Sequence, residues 1–132
     1  MKFIIGGAYQ GKIGAAIELF GVKESEITNG STCDFDDLFS AKCIKSFHKV
    51  IARLLAQGVS PVEFTKRLCL ENSDAIIIMD EIGCGIVPVE KSERRRREET
   101  GRCGCIISAA SDTVIRVICG IPVYLKGKRN ED

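Results

Sequence analysis

"IIGGAYQGKIGAA", Ile4 to Ala16, decides the fold. The apolar run from Lys2 to Ile5 is β-rich and stops at Gly6 and Gly7. Lys12 to Phe20 then carries Ile13, Ala16, Ile17 and Phe20 at helical spacing and ends before Gly21. The order is strand, glycine turn, helix. Inside it, Gly6, Gly11 and Lys12 fall on the G-x-x-x-x-G-K pattern, and Ile13 takes the place of the usual Ser or Thr. In that pattern the glycines let backbone N–H groups curl around a phosphate. The lysine reaches the terminal phosphates, and the hydroxyl ordinarily holds Mg²⁺. A helix N-terminus at the loop adds its partial positive charge. Nucleotide contacts are therefore expected along Gly6, Gly7, Ala8, Tyr9, Gln10, Gly11, Lys12 and Ile13.

Further along, the periodicities alternate. A short strand is expected around Ile27, before the Asn29-Gly30 turn. Asp36 to Gln57 carries Leu38, Phe39, Cys43, Ile44, Phe47, Ile51, Leu54 and Leu55, which predicts one amphipathic helix ending at Gly58. Ser60-Pro61-Val62-Glu63 is a helix start, with a capping serine and a proline preset for the first turn, and that helix runs to about Leu70. Asp74 to Met79 is a continuous apolar run suited to a central parallel strand ending at Asp80 and Glu81. Glu90 to about Ala110 returns to helix, and Thr113 to Cys119 is a strand closed by Gly120. Strands alternating with helices mean an α/β fold with a mainly parallel sheet, in one domain spanning 1–132.

Composition excludes several function classes. Nineteen basic against eighteen acidic residues leave a net charge of +1, so no global field favours nucleic acid or an anionic membrane. The N-terminal apolar run is too short for a signal-peptide core, and no run reaches membrane-spanning length, so a soluble cytoplasmic protein is expected. The seven cysteines are odd in number and lack a Cys-x-x-Cys pair, which favours reduced thiols over disulfides or a structural metal site.

The stretch "DEIGCGIVPVEKSERRRREETGR", Asp80 to Arg102, followed by "ISAASDTVIRVICGIPVYLKG", resembles the C-terminal half of the adenosylcobinamide kinase / adenosylcobinamide-phosphate guanylyltransferase family. "GGAYQGK" is similar to that family's P-loop. The resemblance implies a RecA-like, three-layer P-loop fold and a transferase of cobalamin biosynthesis. It implies ATP or GTP as co-substrate, Mg²⁺ as cofactor, a corrinoid substrate and a homo-oligomer. It implies two reactions: phosphorylation of the cobinamide hydroxyl, then GMP transfer to that phosphate through a guanylylated histidine. On this reading Lys12 and the loop hold the triphosphate, and Asp80 is a magnesium ligand with Glu81 beside it at the catalytic edge. Glu81, Gly83, Gly85, Arg94, Arg97 and Arg102 serve the substrate and its phosphates.

The chain departs from the family's pattern in four ways. Ile13 lacks a hydroxyl, Asp80 stands where asparagine is common, the chain is short, and the missing length is the part that carries the family's histidine. His48, in "IKSFHKVIAR", is the only histidine left for that role. A histidine on the edge of an apolar stripe is more often a packed residue with one hydrogen bond than a nucleophile. The Arg94 to Arg97 run is flanked by Glu90, Glu93, Glu98 and Glu99 at helical spacing, a self-paired face rather than a nucleic-acid patch. A rival reading is a degenerate relative that binds nucleotide or corrinoid without turnover.

Overall fold

The computed structural model describes residues 1–81 and 90–128; Gly83 and Gly85 lie outside the described residues. The strands are β1 (Lys2–Gly6), β2 (Ile27–Asn29), β3 (Cys43–Lys45), β4 (Ile76–Asp80), β5 (Thr113–Ile118) and β6 (Ile121–Lys126). The helices are α1 (Lys12–Phe20), α2 (Phe47–Ala56), α3 (Pro61–Glu71) and α4 (Lys91–Ala110). The strands form one sheet of order β2-β3-β4-β1-β5-β6, parallel except for β6, which pairs antiparallel with β5. A mixed α/β architecture with a mostly parallel sheet is therefore present, consistent with a P-loop fold.

Helices cover both faces. On one, Phe3, Ile44, Ile77 and Val114 pack with Phe47, Ile51 and Leu54 of α2, Leu68 of α3, and Cys103 and Ile107 of α4. On the other, Ile4, Cys43, Ile76, Ile78, Ile115 and Val117 meet Ala15 and Ala16 of α1. Burying a large aliphatic side chain contributes about 1.5–3 kcal/mol, so these two layers fix how the helices lie on the sheet. The α3 start is as expected: Pro61 opens the helix and the Glu63 N–H donates to Ser60 Oγ at 3.3 Å.

Residues 36–57 do not form one helix. They divide into a 3₁₀ turn (Phe35–Phe39), the three-residue β3, and α2. β3 lies between β2 and β4 in the sheet, and with Ile44 in one apolar layer and Cys43 in the other both are fully buried. A strand covered on both faces shows no alternation, and a run this short is indistinguishable from part of a helical stripe. Ser46, left-handed at φ 58°, ends the strand and turns the chain into α2. Arg53 ties the rearranged segment together. Its guanidinium donates to Gly30 O at 2.7 Å and Cys33 O at 2.6 Å, and lies 4.5 Å from the centre of the Phe35 ring. Asn72 Nδ2 donates to Leu38 O and Ala41 O, both at 2.9 Å.

Candidate functional site

The glycine loop leaves the central strand at the carboxyl edge of the sheet. Gly6 is obligatory there, since a Cβ would stand 2.6 Å from Val117 O. Gly11, at φ 92°, turns the chain into α1. Between them Gln10 fastens the loop to the tight turn joining β5 and β6. Its carbonyl accepts the Gly120 N–H at 2.9 Å and its side-chain Oε1 the Cys119 N–H at 2.6 Å. Both turn residues have positive φ, the geometry of a two-residue hairpin. Ile13 is partly exposed in the first turn of α1, and Tyr9 is fully exposed.

Lys12 is buried. Its Nζ donates to Gly7 O at 2.7 Å and lies 2.7 Å from Asp80 Oδ1. Asp80 ends β4, directly opposite Gly6 in the register. The same aspartate meets His48 twice, through its N–H to Nδ1 at 3.1 Å and through Oδ2 to Nε2 at 3.5 Å. His48 reaches this position as the second residue of α2, just after the Ser46 turn. Since a backbone N–H donates to Nδ1, the ring proton sits on Nε2 and the imidazole is neutral. Burial pushes its pKa below the ordinary value, opposed by the Asp80 carboxylate and reinforced by Lys49, Arg96 and Lys12.

These groups share a cleft of about 390 Å³, lined by the loop from Ala8 to Gly14, by Ile78 and Asp80, and by Lys45, Ser46, His48 and Lys49. Glu81 stands at the same sheet edge with its N–H donating to Gly6 O at 2.8 Å. Both its carboxylate oxygens are engaged by Arg116, at 2.8 and 3.1 Å, so it is tied to β5. A larger hollow, about 650 Å³, lies between α2 and α4 beside Ala52, Leu55, Arg95 and Arg96. It lacks the loop.

The arginine helix is distributed differently from expectation. Arg102 pairs with Glu98 at 2.9 Å and lines a separate groove with Ser60 and Val62 of the α3 start. Arg96 pairs with Glu93 at 3.8 Å, and it is the arginine whose charge reaches His48. Arg94 is exposed and Arg97 half-buried. The structure brings Lys12, Asp80 and His48 together, adds Lys45 and Lys49 to the cleft lining, and sets Arg96 close enough to act on His48. Once β3 is recognised as a parallel strand, its carboxyl end falls on the ligand edge of the sheet, the signal that exposes Lys45.

Magnesium has few donors here. Asp80 is the only carboxylate lining the cleft among the described residues, and its oxygens face Lys12 and His48. The Ile13 side chain offers no oxygen ligand, and no group of three or more His, Cys, Asp or Glu gathers for a metal among the described residues. Magnesium is usually held by one or two carboxylates together with substrate phosphates and water, and among the described residues Asp80 is the carboxylate that would serve it here. Among the described cysteines all are free thiols, with burial pushing Cys43 to about 11. No described helix is long and apolar enough to cross a membrane.

A family model described as cobinamide kinase / cobinamide phosphate guanyltransferase matches residues 55–125, more than half of the chain. The match runs from the end of α2 into β6; the glycine loop and His48 precede it. No curated protein matches the chain.

Proposed function

The chain belongs to the cobinamide kinase / cobinamide phosphate guanyltransferase family, a transferase family of cobalamin biosynthesis, and from that premise we propose that it moves a phosphoryl group from ATP or GTP to the hydroxyl of adenosylcobinamide. The observation that carries this reading is the buried Lys12 at the base of the glycine loop, held 2.7 Å from Asp80. A buried ammonium with a single carboxylate partner is poised to exchange that partner for a triphosphate, which offers more negative charge in the same place. The loop N–H groups and Lys12 then bind the terminal phosphates. The acceptor hydroxyl attacks the γ-phosphorus, the bond to the bridging oxygen breaks and the nucleoside diphosphate leaves. The hydroxyl proton passes to Asp80, which Lys12 has vacated. Catalysis of this kind is mostly positioning and charge stabilisation.

Phosphoryl transfer is favoured over guanylyl transfer by the state of His48. A nucleophilic imidazole needs a free lone pair aimed at phosphorus, and here the lone pair of Nδ1 accepts the Asp80 N–H while Nε2 carries the proton. Ile13 favours a second reading, in which the loop binds nucleotide without turnover.

Incubation with adenosylcobinamide and γ-phosphate-labelled ATP or GTP tests the proposal. Label on the corrinoid, lost in Lys12→Ala, is expected. Nucleotide binding by calorimetry without label transfer selects the non-catalytic reading. Acid-labile protein labelling from α-phosphate-labelled GTP, lost in His48→Ala, restores guanylyl transfer.

A further inference from the structure

The charges of the cleft do not balance. Its charged lining consists of Lys12, Lys45, Lys49 and Asp80, with His48 neutral. Asp80 is matched to Lys12. Lys45 and Lys49 line the opposite wall, where β3 gives way to α2, and neither side-chain ammonium makes a hydrogen bond or ion pair to a described residue. Two other lysines do have acidic partners, Lys2 with Asp112 at 2.8 Å and Lys42 with Glu26 at 3.0 Å. Ser46, between the two, has a side-chain hydroxyl that caps nothing and also lines the cleft. The wall is held firmly. Phe47 and Val50 of α2 are fully buried, and Gly30, on which Arg53 closes, sits against Lys45 O and Ser46 O.

We propose that Lys45, Ser46 and Lys49 form a second phosphate-binding wall facing the glycine loop, so that the cleft takes two anionic groups, one on each side. The inference rests on the nucleotide reading of the loop for the first of them. Two unmatched ammonium groups and a hydroxyl are the donors a phosphate monoester or terminal phosphate requires. The second anion comes from one of two sources, the phosphate of an acceptor molecule or the far end of the nucleotide's own phosphate chain.

Calorimetry on the full chain separates these outcomes. Inorganic phosphate is titrated into nucleotide-saturated protein, and nucleotide into free protein, with wild type, Lys45→Ala/Lys49→Ala and a charge-matched Lys23→Ala/Lys66→Ala control. The expected result is phosphate binding to the saturated wild type and control, weakened tenfold or more in Lys45→Ala/Lys49→Ala. Absence of phosphate binding to the saturated wild type, with a tenfold loss of nucleotide affinity confined to the same variant, assigns the wall to the nucleotide's own phosphates. Equal behaviour of all three proteins in both titrations overturns the proposal. Should the wild type bind no nucleotide, the reading of the loop fails by itself. Pyrophosphate titrated into the free proteins then decides the wall, a tenfold loss in Lys45→Ala/Lys49→Ala supporting it and equal binding overturning it.

Discussion

His48 and Asp80 are joined twice, the aspartate N–H donating to Nδ1 at 3.1 Å while its Oδ2 faces Nε2 at 3.5 Å. The histidine thereby orients the carboxylate that holds Lys12, and its protonation breaks the first of these contacts. Its folded pKa lies below the unfolded value near 6.5. The unfolded state therefore binds the proton first as pH falls. The stability is present above about pH 6.5 and lost as pH drops toward the folded value. Thermal melts between about pH 7.5 and 5 are expected to fall, and His48→Gln to flatten that dependence. An identical slope in the variant refutes the assignment.

Lys12→Ala is expected to weaken nucleotide binding at least tenfold. It also removes one of the cations that hold the His48 pKa down. The imidazole titration, followed by NMR, is expected to move upward in the variant, a readout independent of any ligand.

Gly30→Ala tests the wall's rigidity. Its Cβ would meet Val50 Cγ2 at 2.7 Å, Lys45 O at 2.8 Å and Ser46 O at 2.9 Å. Two of those atoms are backbone, so the corner must shift, at a cost of about 1–3 kcal/mol in urea unfolding.

Arg53→Lys retains the charge and loses the fork. One ammonium cannot reproduce the two carbonyl contacts and the Phe35 stacking together, so a loss of about 1–3 kcal/mol is expected despite the conserved charge. Equilibrium urea curves measure it.

Ile13→Thr restores a hydroxyl to the first turn of α1. The dependence of nucleotide affinity on magnesium is expected to rise at least threefold, while the wild type changes less when chelator is added. Unchanged magnesium dependence in the variant would place the phosphates away from that turn.

Much of this arrangement was legible in the residues because local signals agreed with tertiary demands. Gly6 and Gly11 mark the loop, Ser60 and Pro61 start α3, and the apolar run before Asp80 is β4, so Lys12 and Asp80 could be set on one edge. The failures have a common cause. Cys43 and Ile44 are buried on both sides of a three-residue strand, so their spacing fits a helical stripe equally well, and β3 was absorbed into it. Lys45 and Lys49 went unrecognised with it, since their side of the cleft exists only when β3 lies beside β4. Arg96 was passed over because four consecutive arginines have no individual address until the helix is docked.

The strand order also works as a ruler. β1, β4 and β3 are consecutive neighbours in the sheet and deliver, in that order, the glycine loop, Asp80 and Lys45. Adjacent strands lie about 4.8 Å apart, so the outer two are separated by about 10 Å, a span fixed by backbone hydrogen bonds. On the proposed reading of the cleft a compact anion takes one side. An elongated one touches both, so on that two-walled reading the strand spacing would sort anions by length as well as by charge.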